Sequence, residues 1–179
     1  MAVHEPGPVV LSATEIASRV EALADDVAAS VDREAPLVLL CVLKGSFVLT
    51  SDLCRALQRR GVAVEVDFVA VRSYAGEDTT GTVELVKDVG TALRGRDVLI
   101  VEDVVDTGLT TSFLLEHVRA HQPRRLRLLT LLDKPGRRRR EVRIDFRGAT
   151  LGDEFVVGYG LDVDERWREL PDVHVLQRT

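Results

Sequence analysis

Seven consecutive apolar residues, Leu37-Val38-Leu39-Leu40-Cys41-Val42-Leu43, end abruptly in Lys44-Gly45-Ser46. A run this short and unbroken offers no wet face, which is the pattern of a strand covered on both sides. Val98-Leu99-Ile100-Val101 has the same character and leads straight into Glu102 and Asp103. Helical patterns alternate with such runs. Ser12-Ala13-Thr14-Glu15 has capping-box spacing, and Ile16, Val20, Leu23 and Val27 recur at helical intervals, which predicts an amphipathic helix over 12–31. A second helix is expected from Phe47 to Arg60, stopped by Gly61, and a third from Thr111 to Ala120, before Pro123. Further strands are expected over 62–71, 82–86, 126–132, 142–146 and 155–157, with a Gly- and Thr-rich loop from Ser73 to Gly81. The alternation indicates an α/β domain with a largely parallel central sheet flanked by helices.

A chain of 179 residues suits one domain with a sizeable core. Its net charge of -5 argues against a surface that is one large nucleic-acid footprint. Cys41 and Cys54 lack metal-ligand spacing and read as reduced, packed thiols. No apolar stretch approaches the ~20 residues needed to cross a bilayer, and the first eight residues lack a signal-peptide pattern, so a cytoplasmic location is expected.

In open parallel sheets, ligands bind beyond the carboxyl ends of the strands. Three such ends carry unusual polar groups: Lys44-Gly45-Ser46, Glu102-Asp103 and Asp133-Lys134. The segment from Glu102 to Thr111 is the most informative. Two adjacent carboxylates are followed by a third at Asp106, and then by Thr107-Gly108-Leu109-Thr110-Thr111 leading into a helix. Backbone N–H groups and hydroxyls at a helix N-terminus suit a phosphate, while the carboxylates suit a cation or sugar hydroxyls. A phosphorylated sugar with a bound metal satisfies both ends. A helix-capping loop whose acids merely complement the helix dipole is the plainer reading of the Asp-Thr-Gly part alone.

VLIVEDVVDTGLTT, from Val98 to Thr111, closely resembles the phosphoribosyl-pyrophosphate motif of the hypoxanthine-guanine phosphoribosyltransferases. LKGS at Leu43, RSY at Arg72, LLDKP at Leu131 and FVVGYGLD at Phe155 follow the same family's order. The resemblance implies a type I phosphoribosyltransferase fold in a single domain, with a core over about 12–135 and a small C-terminal hood over 136–179. It implies transfer of a phosphoribosyl group from phosphoribosyl pyrophosphate to hypoxanthine or guanine, giving IMP or GMP. Glu102 and Asp103 would hold the ribose hydroxyls, directly or through Mg²⁺, and Asp106 would be the general base. Thr107, Gly108, Leu109, Thr110 and Thr111 would enclose the 5′-phosphate. Leu43, Lys44 and Gly45 would bind pyrophosphate, with a cis Leu43–Lys44 peptide, and Arg168 would pair with that leaving group. Ser73 and Tyr74 match the family's flexible lid. Lys134 would donate to the purine 6-oxo group, Phe155 would stack on the base, and the Val156 backbone would meet its edge. Asp162, also at the purine side, would ligate a second Mg²⁺. A homodimer or homotetramer is implied as well, with no nucleic-acid partner and no membrane.

Leu109 stands where relatives often carry Lys, Glu154 also replaces a frequent Lys, and Val163 and Trp167 replace frequent aromatic residues. These departures leave the ranking of hypoxanthine, guanine and xanthine open. Arg137 to Arg140 read as a solvated loop, yet such a run can also contact RNA. A regulatory RNA-binding protein of the same fold is therefore one alternative, and a xanthine-preferring enzyme another. The four histidines are assigned no chemistry: His117 and His121 stand four apart on a helix, but outside an HExxH pattern.

Overall fold

The two apolar runs lie side by side at the centre of the main sheet. A computed structural model describes residues 4–74 and 82–178. In chain order the elements are β1 (His4–Leu11), α1 (Ala13–Ser30), β2 (Leu37–Leu43), α2 (Phe47–Arg59), β3 (Val64–Tyr74), β4 (Thr82–Lys87), β5 (Asp97–Val105), α3 (Leu109–Ala120), β6 (Arg125–Asp133), a 3₁₀ turn (Pro135–Arg137), β7 (Phe146–Thr150), β8 (Val156–Val157) and β9 (Val173–Arg178). Six strands form a sheet in the order β4-β3-β2-β5-β6-β7, and a three-stranded sheet has the order β1-β9-β8. Within the larger sheet only the β3–β4 pairing is antiparallel.

Alternation along the central strands builds a core on each face. Leu39, Leu99, Val101, Leu129 and Leu131 pack with Ile16, Val20, Leu23 of α1 and Leu49, Leu53, Leu57 of α2. Val38, Leu40, Val42, Val98, Ile100 and Leu128 pack instead with Leu114 and Val118 of α3. Helix α1 starts as its capping box predicts: Ser12 Oγ accepts from the Glu15 N–H at 3.3 Å, and the Ser12 N–H donates to Glu15 Oε2 at 2.9 Å.

Three departures from the sequence reading have physical causes. Strand β5 does not stop at Val101 but continues to Val105, because β6 partners it as far as Val105↔Asp133 after β2 has ceased pairing at Cys41↔Val101. The run over 142–146 is not a strand. Val142 and Ile144 pack against the α3 side of the core from irregular backbone, and pairing with β6 begins only at Leu129↔Phe146. Strand β1 passes through Pro6 and Pro8, residues that argue against a central strand; it survives at the edge of the smaller sheet, with register irregularities after Pro6.

The order of strands reverses direction between β2 and β5: the chain builds outward from β2 through β3, then returns to build outward through β5, β6 and β7. This switch point opens a crevice between the carboxyl ends of β2 and β5, where an open α/β sheet binds its ligands. Leu99 is fully buried in the core on the α1–α2 side of β5, the strand that carries the acids to that crevice. Leu99→Ala is expected to cost about 2–5 kcal/mol of stability, read from the midpoint of urea unfolding at unchanged slope.

Candidate active site

The strand end that carries the acids is only half paired. Beyond Val101, β5 bonds to β6 on one side, while on the other the chain of β2 turns away through Leu43, Lys44 and Gly45. The Leu43–Lys44 peptide is cis. Gly45 lies so close to Asp103 that an added Cβ would stand 1.6 Å from the carboxylate oxygen Oδ2, so only glycine lets that side chain lie across the loop. Gly108 caps α3 with a φ of 80°, and a Cβ there would meet the Arg140 carbonyl oxygen at 2.2 Å.

Two cavities meet at this edge. One, about 230 Å³, is lined by Leu43, Gly45, Glu102, Asp103, Asp106, Thr107, Gly108, Thr110 and Thr111. The other, about 310 Å³, is lined by Lys44, Gly45, Asp103, Asp106, Lys134, Arg137, Phe155, Val156, Asp162 and Arg168. Gly45, Asp103, Val104 and Asp106 border both. Leu109 begins α3, and its N–H faces Thr107 Oγ1 at 3.4 Å without lining either cavity. Ser73 and Tyr74 close β3, but their side chains and residues 75–81 lie outside the described residues.

The carboxylates occupy different environments. Burial raises Glu102 well above the ordinary carboxylate range, and the charge of Asp103 pushes it further. Burial also pushes Asp103 up to about 6, with Asp162 repelling it across the second cavity. Asp106 is more open and paired: Arg137 Nε donates to its Oδ1 at 2.8 Å, and Arg138 Nη1 donates to its backbone carbonyl at 2.7 Å. Arg138 is itself buried against Asp133, which also takes Arg147 Nε at 2.9 Å.

Lys134 is not a solvated surface lysine. It is 5% exposed, burial lowers its pKa, and Nζ donates to the Glu154 carbonyl at 2.6 Å. Phe155 is 58% exposed, so its ring is an open face on the cavity rather than core packing. Arg168 bridges the opposite wall, with Nη2 2.9 Å from Asp162 Oδ1 and Nη1 donating to the Gly160 carbonyl at 2.7 Å. Lys44 Nζ meets Glu165 Oε1 at 2.9 Å in solvent.

Residues 10–164 match the phosphoribosyl transferase domain family. The chain belongs to the phosphoribosyltransferases. A hypoxanthine-guanine phosphoribosyltransferase of Bacillus subtilis (strain 168) is 38% identical over 175 residues, covering 97% of this chain and 95% of that one. The hypoxanthine phosphoribosyltransferase of Escherichia coli (strain K12) is 46% identical over 141 residues, 78% of each chain. Among solved structures, a hypoxanthine-guanine phosphoribosyltransferase of Bacillus anthracis superposes with a TM-score of 0.89 at 35% identity, covering 98% of this chain and 99% of that one. The Trypanosoma cruzi hypoxanthine phosphoribosyl transferase gives 0.90 at 38% identity, covering 96% and 92%. The α/β architecture is thus the type I phosphoribosyltransferase fold.

The sequence reading missed how the arginine run is used in this phosphoribosyltransferase. Arg137 and Arg138 bind Asp106, Arg138 also binds Asp133, and Arg140 pairs with Glu116, so the segment is wired to the acidic loop and to α3. The run itself was visible in the sequence; the directions of its side chains were not.

Asp103 carries a measurable signature. Its folded-state pKa lies above the ~3.9 of a free aspartate, so its stabilising contribution is complete at low pH and is lost as pH rises through about 6. In buffer free of divalent ions, Asp103→Asn is expected to raise Tm at pH ~8, with the gain fading as pH falls below ~4. Thermal melts across that range check it; a gain independent of pH would contradict it.

Proposed function

We propose that the two cavities hold the two halves of one reaction: the 5′-phosphate and ribose of phosphoribosyl pyrophosphate in the smaller one, and a 6-oxopurine together with the departing pyrophosphate in the larger, which Lys44 and Arg168 line. The chain transfers the phosphoribosyl group to hypoxanthine or guanine, forming IMP or GMP and releasing pyrophosphate in purine salvage. The observation that carries this reading is that Asp106 borders both cavities, on the line where base and sugar must meet.

Each residue then has a chemical task. N–H groups and hydroxyls of Thr107 to Thr111 enclose the 5′-phosphate at the start of α3. Glu102 and Asp103 accept hydrogen bonds from the ribose hydroxyls. Lys134, already buried and directed at an acceptor, exchanges the Glu154 carbonyl for the purine 6-oxo oxygen. Adenine offers a donor at that position, so Lys134 discriminates against it. Phe155 stacks on the base, and the Val156 backbone meets its edge. Asp106 takes the proton from the purine nitrogen as that nitrogen attacks the anomeric carbon. The incoming N–H replaces Arg137 Nε at the Asp106 carboxylate. Lys44, Gly45 and Arg168 receive the pyrophosphate, and Ser73 and Tyr74 belong to the lid that excludes water.

Mg²⁺ fits this donor set. Asp103 and Asp162 line one cavity and repel each other, a charge that a hard dication would relieve, and Glu102 lines the adjoining cavity with Asp103. Two ions are proposed during turnover, one that Glu102 and Asp103 would hold and one that Asp162 would hold, and their charge would offset that of the pyrophosphate.

Arg137 and Arg138 of the arginine run turn to Asp106 and Asp133, and Arg140 pairs with Glu116 at the surface, which supports the enzyme over an RNA-binding regulator. We take residues 1–179 as one domain, and a homodimer or homotetramer as the working state. The exposed apolar side chains Phe47, Val66 and Phe68 on α2 and β3 support association. Among the described residues no helix is long and apolar enough to cross a membrane. The free thiols Cys41 and Cys54 suit a cytoplasmic location.

Turnover of hypoxanthine, guanine and xanthine, measured side by side with Mg²⁺, tests the reading and ranks the bases. No turnover together with specific RNA affinity would overturn it. Asp106→Asn is expected to lower kcat by about 10²-fold or more while leaving phosphoribosyl pyrophosphate affinity nearly unchanged; an unchanged kcat, with chemistry limiting, removes Asp106 as the base. Lys134→Ala is expected to raise KM for hypoxanthine, and unaltered hypoxanthine kinetics would remove Lys134 from base recognition.

A further inference from the structure

On the α3 side of the sheet, away from both cavities, three potential metal ligands converge. A ring nitrogen of His117, a ring nitrogen of His121 and a carboxylate oxygen of Asp88 all lie within 4.8 Å of one another. His117 lies in the last turn of α3 and His121 caps its C-terminus, while Asp88 comes from the loop that leaves β4. His117 Nε2 and Asp88 Oδ1 are already 2.7 Å apart, and the two imidazoles meet edge to face with centroids 5.2 Å apart.

The carboxylate is held in place rather than left on a loose loop. The Val89 N–H donates to Asp88 Oδ1 at 2.7 Å, and Lys87 Nζ donates to the Asp88 carbonyl at 3.0 Å. The next residues are anchored as well, since the N–H groups of Gly90 and Thr91 donate to Asp67 Oδ2 at 2.7 and 2.8 Å. On the other side, the His117 ring lies nearly parallel to Phe113, with centroids 6.3 Å apart. Ligands fixed by their surroundings need little rearrangement to bind. All three groups reach solvent, so an ion has an entry path.

We propose that Asp88, His117 and His121 form a binding site for a first-row transition ion, Zn²⁺ in the first place, with water completing a tetrahedral shell. Two imidazoles and one carboxylate are a borderline-soft donor set that favours Zn²⁺, Co²⁺ or Ni²⁺ and disfavours Mg²⁺, so the site is chemically separate from the acidic crevice. Small adjustments bring the three ligands to Zn–N and Zn–O distances of about 2.0–2.2 Å, with the ion replacing the His117–Asp88 hydrogen bond. The ion then ties the β3–β4 pair, through Asp88, to the last turn of the helix whose first turn adjoins the smaller cavity.

The test is Zn²⁺ binding to the full chain by calorimetry in saturating Mg²⁺, with Co²⁺ absorption as a second readout. The expected result is one Zn²⁺ per chain, weakened at least about ten-fold in His121→Ala and in Asp88→Asn, as loss of a ligand requires. Co²⁺ should give visible bands of four-coordinate intensity that both substitutions abolish. Zn²⁺ should raise Tm in the parent and not in His121→Ala. The substitutions should leave turnover without Zn²⁺ unchanged, which also verifies folding. Equal Zn²⁺ affinity in parent and variants, or no stoichiometric binding in the parent, would overturn the proposal and leave an ordinary His–Asp ion pair.

Discussion

Burying carboxylates at the end of a central strand is the constraint on which the remaining architecture depends. Glu102 and Asp103 sit in β5, where β6 supplies hydrogen bonds on one side and the departure of β2 leaves room on the other. Their charged forms are disfavoured by burial, and each repels a neighbour. Such an arrangement costs stability in the empty protein, a cost that cations and sugar hydroxyls would offset in the proposed reaction. The apolar layers on both faces of β5 hold it there, and Gly45 lets the adjoining loop approach Asp103 without a clash.

The same edge divides labour among similar side chains. Asp106, three residues beyond Asp103, leaves the strand's buried environment and pairs with Arg137. Asp133, at the end of the neighbouring strand, lines neither cavity and is buried in ion pairs with Arg138 and Arg147. Its chain neighbour Lys134 does reach one of them. Position along two adjacent strands therefore decides which charges are paired away from the cavities and which line them.

Much of this was legible in the residues. The unbroken apolar runs gave the central strands, the capping box fixed the start of α1, and the acidic segment followed by Thr-Gly-Leu-Thr-Thr marked the strand end that lines the smaller cavity. Resemblance supplied the expectations of a base, a leaving group and a lid, the last falling on side chains and residues outside the described ones. What escaped reading depends on contacts between distant segments. The extension of β5 to Val105 requires β6, β1 is a strand only because β9 pairs with it, and the inward turn of Arg137 and Arg138 follows from where Asp106 and Asp133 lie. His117 and His121 had visible helical spacing, but their third partner, Asp88, is 29 residues from His117 in sequence.

The central claim is that Asp106 stands where the two substrates meet. A crystal structure with phosphoribosyl pyrophosphate, Mg²⁺ and an unreactive hypoxanthine analogue tests it most directly. The account predicts the base stacked on Phe155, its 6-oxo oxygen on Lys134 Nζ, and the reacting ring position at the Asp106 carboxylate, with Arg137 displaced. A base bound elsewhere, or Asp106 still held by Arg137 in the filled site, would contradict it.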